Sequence, residues 1–273
     1  MRRKKIGLAL GSGSARGLAY IGVLAVLEKE GIPIDMIAGT SAGAVIGALY
    51  ARDKDTSQMK ELALGLSWKK LAPLVDPSLP ITGLIKGRKI RNLIAPIIGR
   101  DIKFSDLKIP VACVATDIDT GEEIVIDQGL VLEALRASIS IPALFTVVKW
   151  KGRYLVDGGL VNPVPVSVVK RMGADFVIAV NVIPDVAERV HRADKERTER
   201  AKEPNIFNII MQSIYIGTYS LVKSSMEEAN IIIEPNVGHV SSSDFLHAKE
   251  IIQQGELAAQ ASIPEIKRSL KNL

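Results

Sequence analysis

Between Lys5 and Asp53 the chain twice repeats one order: an aliphatic run, a glycine-flanked polar turn, then a helical stretch. KIGLAL, GSGSARG and LAYIGVLAVLEKEG make the first pass; IDMIA, GTSAGA and VIGALYARD make the second. Few folds accept this order. It predicts a β-α-β-α start, in which strands pair in parallel and the intervening helices cover the sheet. Parallel strands are buried on both faces and therefore read as continuous aliphatic runs. Aromatic residues are only 4% of the chain against 47% hydrophobic residues, so Ile, Val, Leu and Ala must build the core.

The later chain extends the pattern. Thr56 to Ile98 has helical periodicity broken by LAPLVDPSLPITG, where three prolines and a glycine interrupt it. Ile109 to Gly129 reads as a strand, a turn at Thr120-Gly121 and a returning strand. Val131 to Ser138 reads as a helix leading into ISIPALFTVV, and Gly152 to Pro165 as a strand followed by a glycine-proline loop. After a further helix, ADFVIAVNVI (Ala174 to Ile183) predicts another strand. NIFNIIMQSIYIGTYSLVKSSMEEA predicts an amphipathic helix, NIIIEPNV an edge strand and SDFLHAKEIIQQGELAAQ a closing helix. Residues 185–204 are too charged to bury a face, which predicts an exposed, mobile loop. Without internal repeats, residues 1–273 are expected to form a single domain.

Three polar turns follow predicted strands. Ser41 lies in Gly39-Thr40-Ser41-Ala42-Gly43, the G-x-S-x-G pattern. On a strand-to-helix turn, that pattern lifts a serine hydroxyl clear of the backbone and sets it at a helix N-terminus. Side chains at the flanking glycines would collide with the neighbouring strand and helix. GSGSARG fails the dinucleotide pattern, because the sixth position counted from Gly11 is Arg16, and it contains no Gly-Lys-Ser/Thr. It can instead present backbone N–H groups to a developing oxyanion, or be a plain tight turn. Asp157 in YLVDGGLVNP ends a strand and precedes two glycines, Gly158 and Gly159, which either exposes its carboxylate at the sheet edge where ligands gather or makes a common Asp-Gly β-turn. A serine needs a base, most often histidine. His191 sits in the charged stretch and His247 on a predicted helix face, while His239 lies in a loop, so a triad in the chain order Ser41, Asp157, His239 is formally possible.

The remaining composition narrows the classes. Thirty-five basic against 30 acidic residues give +5, and without a basic stripe nucleic acid is not the expected partner. MRRKK at the N-terminus and KGRKIR at Lys86 to Arg91 are the densest basic clusters, able to touch anionic lipid. The one cysteine, Cys113, allows no internal disulfide and sits in an aliphatic run as a buried thiol. No signal peptide or apolar run of membrane-spanning length is present, so the expected location is cytoplasmic, with or without peripheral contact on the inner membrane face.

Taken in order, LALGSGSARGLAYIGVL, GTSAGA, ASISIPALF and DGGLVNPVP resemble the bacterial patatin-like phospholipases, and the likeness continues into NIIIEPNVGHVSSSDFLHAKEIIQQGELAA. The resemblance implies a three-layer α/β fold of patatin type, a modified α/β-hydrolase sheet, mostly parallel and flanked by helices. It implies a Ser-Asp dyad without catalytic histidine: Ser41 as nucleophile and Asp157 as base. The family's glycine-rich oxyanion loop falls on Ser12, Gly13 and Ser14, with Arg16 as its basic residue; Gly39, Gly43, Gly158 and Gly159 support the two turns. Phospholipids, lysophospholipids and related acyl esters are the implied substrates, with no metal or organic cofactor.

This chain departs from the family where Ser12 and Ser14 replace two loop glycines. Serine at a position of positive φ costs about 1–2 kcal/mol. Three readings stay open: ordinary φ at both, a reshaped hole, or hydroxyls that act as extra donors. The aliphatic and basic stretch from Leu64 to Gly99 is expected either to cap the site and meet lipid or to pack as ordinary helices. The competing functions are a general esterase or thioesterase with the same dyad, and a non-catalytic lipid-binding regulator.

Overall fold

The computed structural model describes residues 3–53, 55–65, 88–185, 206–241 and 244–271. Its strands are β1 (Ile6–Leu10), β2 (Met36–Thr40), β3 (Val111–Asp117), β4 (Glu123–Ile126), β5 (Val148–Trp150), β6 (Arg153–Asp157), β7 (Phe176–Val180) and β8 (Ile231–Ile233). Its helices are α1 (Ala19–Lys29), α2 (Ala42–Asp53), α3 (Thr56–Leu64), α4 (Arg88–Ile98), α5 (Val131–Ser138), α6 (Val166–Arg171), α7 (Ile206–Met226) and α8 (Ala248–Lys271). All eight strands join one sheet. β1 pairs in parallel with β2 and β7, β2 with β3, and β7 with β8; β4, β5 and β6 supply antiparallel partners at the other end.

Alternation along the strands divides the core into two layers, as a pleat of period two requires. Ile6, Leu8 and Leu10 of β1, Val111 and Cys113 of β3, and Phe176, Ile178 and Val180 of β7 enter one layer with α1, α2, α5 and α8. Ala9, Ala38, Ala112, Val114, Val177 and Ala179 enter the other with α6 and α7. The second face is built from smaller side chains, which lets α6 and α7 approach the sheet. Helices on both faces of a mostly parallel sheet make the three-layer α/β architecture expected from the sequence.

Most predicted elements are found. β5 was not anticipated: it is three residues long and half-buried, too short for a periodic signal. α8 runs through Pro264 to Lys271, beyond the predicted end near Gln260. Residues 186–204 of the predicted charged loop, and residues 66–87 of the predicted lipid-facing stretch, lie outside the described residues. Within that stretch, Arg91 pairs with Glu133 at 2.7 Å. Cys113 is fully buried, and burial pushes its thiol up to about 12, so it stays protonated.

The register of β3 brings the ends of β2 and β6 together. Val114 pairs with Thr40 of β2 and Val125 of β4; Ala115 pairs with Ile124 of β4 and Asp157 of β6. A residue has one partner on each edge, so β2 and β6 share one edge of β3 while β4 takes the other. β2 leaves that edge at Thr40, where the oppositely directed β6 arrives at Asp157. The two strands meet end to end.

Candidate active site

Ser41 follows β2 directly and opens α2, with φ at +54°. A serine in the left-handed region is held there against a local cost of about 1–2 kcal/mol. Its carbonyl accepts from the N–H groups of Ala44 (3.0 Å) and Val45 (3.3 Å), and its own N–H donates to Ser138 Oγ at 2.9 Å. The flanking glycines are required by close approach. A β-carbon on Gly43 would lie 2.1 Å from the Leu10 carbonyl oxygen, and one on Gly39 2.5 Å from the Ala44 backbone. Gly43→Ala should therefore lower stability in urea denaturation by about 2 kcal/mol. Alanine's advantage of about 1 kcal/mol within a helix is too small to offset a clash with backbone. An unchanged midpoint would show that the turn yields.

Asp157 ends β6 and is buried. Its N–H donates to the Ser140 carbonyl at 2.9 Å, and its carbonyl accepts from Thr116 Oγ1 at 2.9 Å. Carboxylate Oδ1 accepts from the Gly159 N–H at 2.8 Å; Oδ2 is buried with no hydrogen-bond partner among the described residues. Burial pushes the carboxyl up to about 6, while the Ser41 hydroxyl and the Gly159 N–H pull it back down. Ser41 and Asp157 line one cavity, and a hydrogen bond between such groups often tightens only when substrate is bound. Gly158 and Gly159 leave room for this turn: β-carbons there would lie 2.4 Å from the Val114 carbonyl oxygen and 3.0 Å from Ser12 Oγ.

The GSGSARG loop leaves β1 beside both turns. Ser12, Gly13 and Ser14 line a cavity of about 50 Å³ together with Ser41 and Asp157. The backbone separates their roles. Ser12 donates its N–H to the Pro163 carbonyl at 2.8 Å, so this amide is already engaged within the fold. The N–H groups of Gly13 and Ser14 have no partner among the described residues. Ser14 takes φ at +52°, whereas Ser12 is not in the positive-φ region, so the strain of replacing glycine falls on Ser14 alone. Arg16 is buried, with Nε donating to the Val240 carbonyl at 2.8 Å, and ties the loop to the chain before α8. Tyr20 OH donates to the Gly11 carbonyl at 2.9 Å from the other side.

The histidine alternative finds no support among the described residues. His239 meets Glu250 at 2.7 Å and His247 meets Asp244 at 2.7 Å, both exposed and neither lining the cavity; His191 lies outside the described residues. Also among the described residues, no three His, Cys, Asp or Glu side chains gather into a metal-holding group. Sequence reasoning missed Ser138 and Ser140, which hold the amides of Ser41 and Asp157. Their segment, ASISIP, carried the only signal: two serines in an otherwise apolar stretch where the helix ends.

The chain belongs to the patatin-like phospholipase family, whose family model matches residues 8–170. An uncharacterized NTE family protein of Mycobacterium tuberculosis strain H37Rv is 36% identical over 178 residues, covering 65% of this chain and 49% of that protein. Lysophospholipase NTE1 of Kluyveromyces lactis is 30% identical over 271 residues, covering 92% of this chain and 18% of that protein. The chain thus spans about half the length of the mycobacterial relative and under a fifth of the yeast one. VipD from Legionella pneumophila shares the fold, with a TM-score of 0.61 at 16% identity over 95% of this chain and 67% of that one.

Proposed function

We propose that the chain hydrolyses carboxylic esters of phospholipids or lysophospholipids, with Ser41 as nucleophile and Asp157 as its base. The observation that carries this reading is the pairing of a serine on a strained turn with a buried carboxylate whose Oδ2 has no hydrogen-bond partner among the described residues. Asp157 takes the Ser41 proton as Oγ attacks the ester carbonyl. The Gly13 and Ser14 amides receive the oxyanion. Asp157 then returns the proton to the departing alcohol, leaving an acyl-serine. Water, deprotonated by the same carboxylate, releases the fatty acid. A carboxylate is a weak base for an alcohol, and desolvation brings the two closer in proton affinity.

Lipid is favoured over soluble esters by the surroundings. Ile141, Pro142, Leu160, Ile183 and Ile214 make most of the cavity wall apolar. α7 supplies Ile214, Tyr215 and Thr218 to that wall and turns Ile209 and Ile216 outward, the latter 71% exposed. Its 21 residues include no acid, and Ser213 and Thr218 return their hydroxyls to the carbonyls of Ile209 and Ile214. Such a helix enters an apolar medium with few unsatisfied donors. The proposed contact is peripheral, at the inner membrane face; no described helix is long and apolar enough to cross a membrane.

A fluorophosphonate probe tests the chemistry and a substrate series tests the class. Wild-type protein should be labelled at one site, and long-chain lysophospholipid should be cleaved at least tenfold faster, as kcat/KM, than a short-chain butyryl ester or thioester. The reverse preference would make it a general esterase. Absence of labelling in folded protein, with acyl chains still bound, would favour the non-catalytic lipid-binding reading.

A further inference from the structure

We propose that Ser138 is a positioning residue for Ser41, its buried hydroxyl oxygen fixing the nucleophile's amide while the segment it begins grips the amide of Asp157. This rests on the proposed roles of Ser41 and Asp157. The Ser41 N–H lies past the last ladder pair of β2, Thr40 with Val114, so the sheet does not satisfy it. A buried amide in that position needs another acceptor. Ser138 Oγ provides it at 2.9 Å from a fully buried side chain at the end of α5. Two residues on, the Ser140 carbonyl accepts the Asp157 N–H at 2.9 Å. The amides of both dyad residues are therefore held by positions 138 and 140 of one short turn.

That turn is itself braced. Arg136 is buried and donates to Ser140 Oγ, and to the Thr146 carbonyl at 2.9 Å. Ser140 Oγ returns a hydrogen bond to the Arg136 carbonyl at 2.7 Å, and the guanidinium lies 5.8 Å from the centre of the Phe145 ring. Ile141 and Pro142, within the braced stretch, form part of the cavity wall. A turn fixed at both ends in this way sets the spacing of Ser41 and Asp157, and misplacing a reacting group by about 1 Å costs roughly 100-fold in rate. Strained backbone such as that of Ser41 persists only where its surroundings over-determine it.

The test compares wild-type protein with Ser138→Ala. Fluorophosphonate acylation and kcat should fall about 10- to 100-fold with KM changed less than about threefold. The acid limb of the pH–rate profile should move upward as Ser41 loses its hold on Asp157. In ¹⁵N-labelled wild-type protein the Ser41 amide should exchange slowly with deuterium, and in Ser138→Ala it should lose that protection selectively. Wild-type acylation with an unmoved acid limb in the folded variant overturns the proposal. So does rapid Ser41 exchange in wild-type protein, a result that does not depend on whether the variant folds. Exchange also separates this inference from the catalytic one: an unlabelled wild-type protein whose Ser41 amide is protected only when Ser138 is present sinks the nucleophile assignment and keeps the contact.

Discussion

Ser41→Ala is expected to abolish ester hydrolysis, lowering kcat by roughly 10⁴-fold or more, and to eliminate fluorophosphonate labelling. The effect should be this large because the nucleophile carries the covalent step, and no neighbouring serine holds the same place. Ser12 and Ser14 line the same cavity, but neither follows a strand directly and opens a helix as Ser41 does. The companion substitution Ser41→Gly should be equally inactive yet more stable, by about 1 kcal/mol, since glycine adopts φ of +54° without the penalty serine bears. Calorimetry would read this as a rise of about 2 °C in Tm. Turnover retained in either variant would move the nucleophile elsewhere; equal Tm values would mean the left-handed turn carries no strain.

Asp157→Asn has the second-largest expected effect, and it links activity to pH in two opposite senses. For catalysis the carboxylate must be ionised, so wild-type kcat/KM should climb through about pH 6 and level off above it. The asparagine variant should lose at least about 10³-fold on the plateau. For stability the sign reverses. The folded carboxyl titrates near 6 and the unfolded one near its ordinary value of 3.8. Between those values the folded state binds more protons than the unfolded state, so wild-type stability falls as pH rises through that window. Above it the accumulated cost is at most about 3 kcal/mol. Asparagine can still accept from the Gly159 N–H and carries no charge to desolvate. The variant should therefore be more stable than wild type at pH 8, with the gap closing toward pH 4. Denaturant midpoints across that range decide it; a gap independent of pH would mean that Asp157 is not a high-pKa carboxyl.

The sequence made the strands and the two turns legible for one reason: each rests on a backbone requirement that constrains residue type locally. Buried parallel strands demand unbroken aliphatic runs, as in β1 and β7. The Ser41 turn demands glycines at 39 and 43 because other backbone lies within 2.5 Å of where a β-carbon would be. What was hidden depends on contacts far apart in the chain. That the Ser12 amide is taken by Pro163, 151 positions away, follows from the packing of two loops and leaves no local mark. The roles of Ser138 and Ser140 were equally silent, since a hydroxyl or carbonyl aimed at residues 97 or 17 positions distant looks like any other. β5 escaped because three residues carry no period, and the end of α8 because Pro264 normally stops a helix.

The end-to-end meeting of β2 and β6 on β3 makes β3 a ruler. Thr40 and Asp157 face Val114 and Ala115, successive marks about 3.3 Å apart. The offset between the two strand ends is thus set by the rise of a third strand's backbone, and the 138–140 turn then holds the amides of Ser41 and Asp157 on that scale. Residues 118–122 could lengthen or shorten at their exposed part without changing the scale. Removing one residue from within β3 would do the opposite. It would slide one strand end past the other by a full mark and turn alternate side chains to the wrong layer. The two candidate residues are thus gauged by a strand that contributes neither of them.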